Sequence, residues 1–221
     1  MATTYIITGY YGSGKTEFSL NLAIYLVRNG ENVTIADLDI INPYFRSRQK
    51  ANYLNSLGIN IVGSALSNHT GQDVPAVSFS FISEINKGNC VILDLGGGEQ
   101  GVKLLASSYK FIKDYEFLCV VNLFRKETDN IQKMIDFISS INKTCPLKIN
   151  ALVNNGNLLQ LTTPEDILKS QKEILQVANN FNIPLKYTLI NSSIYESIKN
   201  KVVSQNVLTF NNLQMRDKWQ L

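Results

Sequence analysis

The sequence predicts an α/β fold: a mainly parallel sheet with helices on both faces. Two observations predict it. Short apolar runs of four to seven residues alternate with helix-length amphipathic segments along the chain. Most of these runs are rich in β-branched or aromatic residues, as strands buried on both faces are. Strands that alternate with helices need crossover connections, and these place helices on both sides of a parallel sheet.

The strand-like runs are Tyr5–Thr8, Val33–Ala36, Val91–Leu95, Phe117–Leu123, Ile149–Val153 and Tyr187–Ile190. Residues 15–29 read as a helix with Phe18, Leu22, Tyr25 and Leu26 on one face, ended by Gly30. Residues 129–142 place Ile131, Met134, Ile135, Ile138 and Ile141 at helical spacing. Residues 164–180 carry the stripe Ile167, Leu168, Gln171, Ile174, Leu175 and Ala178. That helix starts with Thr163 as N-cap, Pro164 at its first position and Asp166 near its third. Residues 59–88 are the least regular stretch, and 64–71 read as an exposed loop. With no linker and no repeat, residues 1–221 are expected to form one domain.

The strongest chemical signal is Gly9-Tyr10-Tyr11-Gly12-Ser13-Gly14-Lys15-Thr16, which fits G-x-x-x-x-G-K-[ST]. It follows an apolar strand and opens an amphipathic helix, the context in which such a loop wraps a phosphate. Glycines let backbone N–H groups turn inward, and the helix presents its positive end to the same anion. Gly12, Ser13, Gly14, Lys15, Thr16 and the adjoining Glu17 are therefore expected to bind nucleotide. Lys15 would reach the β- and γ-phosphates, and the Thr16 hydroxyl would ligate Mg²⁺. The expected architecture is thus a three-layer P-loop NTPase fold.

Acids for the metal are sought at strand ends, because ligands bind beyond the carboxyl ends of parallel strands. Asp94 ends the run Val91-Ile92-Leu93 and precedes Gly96-Gly97-Gly98. The backbone N–H of Gly97 could meet the γ-phosphate, and the triple glycine could move when that phosphate leaves. Asp37 and Asp39 follow Val33–Ala36 and share a side if the strand continues. Thr16 and Asp94 are the expected metal-side residues, and the Asp37/Asp39 pair could hold a metal-bound water or orient the attacking water, so Lys15, Asp94 and an acid of that pair, Asp37 or Asp39, are the catalytic candidates. A loop-capping role for each Asp is the structural alternative. Arg46, Arg48 and Arg125 could grip phosphate, substrate or partner.

The base end is read from Asn154-Asn155-Gly156-Asn157, which follows Ile149–Val153. A guanine reader of the N-K-x-D type needs a carboxylate where Asn157 stands. An amide pairs with adenine as donor and acceptor, so Asn154 and Asn155 are expected near the base and ATP is favoured over GTP. A simple Asn/Gly turn is the alternative.

Composition excludes other classes. The net charge is +3, without a run of five like charges or a basic stripe, so no nucleic-acid role is expected. Three scattered cysteines, Cys90, Cys119 and Cys145, and a single histidine fit neither a zinc site nor a disulfide framework. No signal peptide, membrane span or membrane partner is expected, which points to a cytoplasmic protein.

The segments 9–23, 36–48 and 91–101 together resemble the CobQ/CobB/MinD/ParA-like P-loop proteins, above all small bacterial ATP-binding members with an N-P-Y-F-R segment. Residues 151–158 and 162–166 extend the likeness, which covers most of the chain. The resemblance implies Mg²⁺ and ATP binding by Gly12–Thr16, with Asp39 and Asp94 near the metal. Partition ATPases of the MinD/ParA type carry an extra lysine early in the loop that reaches across a dimer. Here that position is Tyr10, so activation by that lysine is not available, and whether the chain forms a homodimer stays open. A nucleotide-dependent ATPase switch is the first expectation. An ATP-dependent ligase or kinase of the CobB/dethiobiotin-synthetase type, acting on a small anionic substrate, is the alternative. A nickel-chaperone-like GTPase is disfavoured, and a scaffold without turnover completes the set. The tail residues Leu213, Met215 and Trp219 are expected to pack on the chain's own domain.

Overall fold

The computed structural model describes residues 3–39, 50–63 and 80–215. Its centre is one eight-stranded sheet in the order β3-β2-β4-β1-β5-β6-β7-β8. The strands are β1 (Thr4–Gly9), β2 (Val33–Leu38), β3 (Asn60–Gly63), β4 (Cys90–Leu95), β5 (Tyr115–Val121), β6 (Ala151–Asn154), β7 (Leu185–Asn191) and β8 (Asn206–Phe210). Every neighbouring pair is parallel. The helices are α1 (Lys15–Arg28), α2 (Ala51–Ser56), α3 (Ser80–Asn86), α4 (Gly98–Ser108), α5 (Ile131–Thr144), α6 (Pro164–Phe181) and α7 (Ser192–Ile198).

The period of two in the strands divides the core. Ile6, Leu93, Val91 and Phe117 face one side, where α3, α4, α5 and α6 contribute Phe81, Val102, Met134, Ile138 and Ile174. Their neighbours Ile7, Ile92, Leu118 and Val120 face the other, where α1 contributes Phe18, Leu22 and Leu26 and α2 contributes Leu54. Both faces being covered explains why these strands read as continuous apolar runs. The three free cysteines are all buried, as small apolar side chains are.

The expected start of α6 is present in full. The Thr163 hydroxyl accepts from the Asp166 N–H at 3.2 Å, and the Asp166 carboxylate accepts from the Thr163 N–H at 2.9 Å. Gly30, just past the end of α1, has φ +88°. Two expectations are corrected. Tyr25 is not core but partly exposed, because α1 turns Ser19, Leu20, Asn21 and Ala23 inward as well. Within 59–88, β3 and α3 are regular elements; both are short, and only 64–79 lie outside the described residues. Among the described residues no helix is long and apolar enough to cross a membrane.

Phe18 is fully buried and meets Tyr187 edge-on, with ring centroids 5.6 Å apart. Phe18→Ala is expected to lower the unfolding free energy by about 3–5 kcal/mol, from lost burial plus the cavity left behind. Urea unfolding followed by circular dichroism measures it.

Candidate functional site

The carboxyl ends of β2, β4 and β1 lie side by side, and the loop Tyr10–Gly14 rises from β1 over them into α1. Gly14 adopts φ +87°, and a β-carbon there would lie 2.1 Å from Nδ2 of Asn155. Both the turn and the close approach require glycine. No side chain caps the first turn of α1, so its backbone N–H groups remain available to an anion in the cleft.

Lys15 is only 7% exposed and its Nζ donates to the Tyr10 carbonyl at 3.2 Å. Burial pushes its pKa down, while Asp94 and Asp39 hold it up. Asp94 is 1% exposed and accepts from the Ser19 hydroxyl at 3.1 Å. Its carboxyl is pushed up to about 7, first by burial and then by Asp37, its cross-strand partner in the β2–β4 register. The neighbouring Thr16 hydroxyl, Lys15 and Ser19 pull the other way. Asp39 closes the group from the end of β2: a β-carbon at Gly96 would lie 3.1 Å from its Oδ1.

A cavity of about 130 Å³ opens above these groups. It is lined by Gly12, Gly14, Lys15, Thr16, Glu17, Asp39, Asn122, Arg125, Asn155, Asn157, Leu159, Phe210, Leu213 and Met215. A larger groove of about 620 Å³ lies between α1, α2 and β8, but it contains none of the loop and none of the strand-end acids. The smaller cavity is the candidate site because the charged and anion-binding groups converge there.

The structure brings most of the expected residues together. Gly12, Gly14, Lys15, Thr16, Glu17, Asp39 and Asn155 line the cavity; Ser13 and Asp94 are buried beneath it. Gly97 is packed under the Tyr11 ring, whose Cδ1 would be 2.8 Å from a β-carbon at that position. It caps α4 instead of lying in open loop, and Gly98 already belongs to the helix. Asn154 is fully buried and turned away: its Oδ1 accepts from the Gly156 N–H and the Ser170 hydroxyl, and its Nδ2 donates to Ile167. Its geometry therefore serves the β6–α6 junction and not a base. The Asn155 amide is likewise committed. Its Nδ2 donates to the Ser13 carbonyl at 2.7 Å and its oxygen accepts from Asn157, so it braces the phosphate loop. Arg46 and Arg48 lie outside the described residues, as does Trp219.

Sequence reading missed two features. Asn122, at the end of β5, accepts from the N–H groups of Phe124 and Asn157 and donates to the Asn157 carbonyl, joining the β5 and β6 loops. Glu17 receives the backbone N–H groups of Gln214 and Met215, at 2.7 and 3.0 Å, and the Asn21 amide at 2.9 Å. This clamp places Leu213 and Met215 in the cavity wall, with Met215 against the α1-side core, which bears out the expected packing of these two residues on their own domain.

A parallel sheet with a phosphate loop after its central strand and two acids at adjacent strand ends defines a P-loop nucleotide-binding protein. The chain belongs to the CobQ/CobB/MinD/ParA nucleotide binding domain family, whose model matches residues 6–212. Among solved structures it is similar to the cell division protein FtsY of Thermotoga maritima, at TM-score 0.60 and 19% identity over 85% of this chain and 61% of that one. It is also similar to the signal recognition particle 54 kDa protein of Aeropyrum pernix in complex with GDP, at TM-score 0.61 and 16% identity over 97% of this chain and 43% of that one. The signal recognition particle receptor FtsY of Elizabethkingia anophelis in complex with GDP gives TM-score 0.56 and 20% identity over 85% of this chain and 57% of that one. These likenesses concern the fold, and the chain spans about three fifths or less of each of those chains. No curated protein gives a significant sequence match.

The raised Asp94 carboxyl has a stability consequence with a definite sign. The folded protein keeps this proton up to about pH 7, whereas the unfolded chain releases it near the usual 3.8. The group's contribution to stability is therefore fully present below about pH 4, declines as pH rises to about 7, and is level above that. Asp94→Asn cannot ionise and keeps an oxygen for Ser19. In nucleotide-free, metal-free protein its melting temperature should gain on the parent's across that window. Melts at about pH 5, 6 and 8 measure the gap; a gap that does not widen would mean the carboxyl is ionised throughout.

Proposed function

We propose that the protein is a Mg²⁺-dependent ATP-binding switch with ATPase activity. The observation that carries this reading is the convergence of Lys15, Thr16, Asp39 and Asp94 at three adjacent strand ends, beneath an uncapped helix N-terminus.

Each group has a task in this reading. The loop amides and the first turn of α1 wrap the phosphates, and Lys15 supplies the charge that a transferred phosphoryl group needs. The Thr16 hydroxyl, Asp39 and Asp94 are hard oxygen donors of the kind magnesium takes. Among the described residues no set of three or more His, Cys, Asp or Glu side chains is placed to hold a metal alone. That suits an ion held partly by phosphate oxygens and water, as magnesium in nucleotide sites is. Bound there, the ion would neutralise charge on the phosphates. It would also favour the ionised form of Asp94, which burial now disfavours. Asp39, at the mouth of the site, is the better placed of the two acids to orient an attacking water.

Adenine is favoured over guanine on the chemistry of the lining. Guanine's two donors call for a carboxylate, and the cavity's acids are Glu17 and Asp39. Glu17 is engaged by Gln214, Met215 and Asn21, and Asp39 belongs to the metal side. The wall beyond β6 is Leu159, Phe210, Leu213 and Met215, which accepts a base by apolar contact. The switching part of the reading rests on Tyr11. Its ring covers Gly97 and lies 5.9 Å from Lys15 Nζ, so a change around Lys15 is passed to the start of α4.

Thermal melts test the reading directly. At 100 times Kd, MgATP should raise the melting temperature by roughly 5–10 °C, corresponding to about 2.7 kcal/mol. The rise should depend on Mg²⁺, exceed that with MgGTP, and vanish in Lys15→Ala. An equal or larger shift with MgGTP would overturn the base assignment. Identical proteolysis patterns with MgATP and MgADP would overturn the switch.

A further inference from the structure

Arg125 follows the end of β5, on the flank of β1 opposite β4 and its acid. Its guanidinium lies on the phosphate loop: a β-carbon at Gly12 would be 3.4 Å from both its Cζ and its Nε. That is ordinary van der Waals distance, so the planar group packs directly against the loop. The same guanidinium lines the cavity beside Lys15, and among the described residues Arg125 and Lys15 are the two cationic side chains in its lining.

The position is built. The Arg125 N–H donates to the Asn122 carbonyl at 3.2 Å, and the Thr128 N–H donates to the Arg125 carbonyl at 2.8 Å. The Thr128 hydroxyl returns to the Asn122 carbonyl at 2.7 Å. Asn122 itself is held by Phe124 and Asn157, so the turn carrying the arginine is tied to both β5 and β6. The charge, by contrast, is left open. Arg125 is half-buried, and among the described residues no carboxylate pairs with it. A partly desolvated guanidinium over an anion-binding loop is matched to phosphate oxygens, which it can engage through two N–H groups at once. Tyr10, at the loop position discussed above, supplies no such charge: its ring packs edge-on against Tyr11 and Phe137, 6.0 and 5.6 Å between centroids.

We propose that Arg125 is a phosphate-binding residue of the nucleotide site, gripping the part of the phosphate chain that nucleoside di- and triphosphates share. The assignment to the shared phosphates follows from its place: it stands across the loop from Asp39 and Asp94, where the terminal phosphate and metal belong. It rests on the nucleotide-binding reading given above. Together with Lys15 and a magnesium ion, it would complete the neutralisation of a triphosphate by residues of one chain.

Calorimetric titration of MgATP and MgADP into the parent, Arg125→Gln and Arg125→Lys tests this at two salt concentrations. Arg125→Gln should weaken both nucleotides about tenfold or more, by a similar factor. It should also flatten the salt dependence of binding, because one charge contact is gone. Arg125→Lys should restore part of the affinity, returning the charge without the fork. The ligand-free melting temperatures of all three should agree, which separates phosphate contact from support of the fold. Unchanged affinity for both nucleotides in Arg125→Gln, with the parent binding normally, would overturn the proposal. A loss confined to MgATP would overturn the assignment to the shared phosphates. A parent that binds neither nucleotide would sink the nucleotide reading itself.

Discussion

The burial of Lys15 is the constraint from which the rest of the site follows. An ammonium so nearly withdrawn from water is costly unless opposite charges and acceptors surround it. Asp94 and Asp39 supply the charges and the Tyr10 carbonyl supplies an acceptor. Those groups meet only because the sheet order sets β2, β4 and β1 side by side and parallel, which brings three carboxyl ends to one edge. The β2–β4 register then sets Asp37 beside Asp94, so the acids also strain against each other. Charges that tolerate one another poorly are thus held in place by a core that is apolar on both faces of the sheet.

A second layer keeps the loop over these charges. The amides of Asn122, Asn155 and Asn157 satisfy one another and the backbone around them. Asn155 also reaches the Ser13 carbonyl from 142 positions away in sequence. Such a network is worth having only if every member is satisfied, and the three side chains meet that condition. Its effect is to make the phosphate loop an extension of β5 and β6 and not a free turn.

This layering explains what could be read in the sequence. The central strands were legible because burial on both faces makes them uniformly apolar, and the phosphate loop because its glycines and Lys15 have no other common use in that context. The α6 start was legible because Thr163 and Asp166 act within one turn. The short edge strand β3 and helices α2 and α7 were not: half-exposed and of four to seven residues, they carry too little periodicity. Helix α4 was hidden by its glycines, which suggested loose chain where Tyr11 packs over Gly97. The Asn155 amide looked like a base reader because its true acceptor, on Ser13, is distant in sequence. Glu17 was expected beside the nucleotide, but nothing near it in sequence announces that it holds residues 214 and 215.

That last contact joins positions 197 and 198 residues apart. Residues 17 to 215 must all be synthesised before the Glu17 carboxylate can meet its partners, so the apolar end of the cavity is assembled after the strands and the phosphate loop have emerged. The sheet strands and the phosphate loop precede it in order of emergence. A ribosome-bound chain would therefore pass through a stage at which the phosphate loop has emerged and the wall of Leu213 and Met215 has not. The long closure costs little more entropy than a shorter one, since that cost grows only with the logarithm of loop length. What it confers is an order of events: the phosphate loop emerges first, and the enclosing wall can form only after residue 215 has followed it.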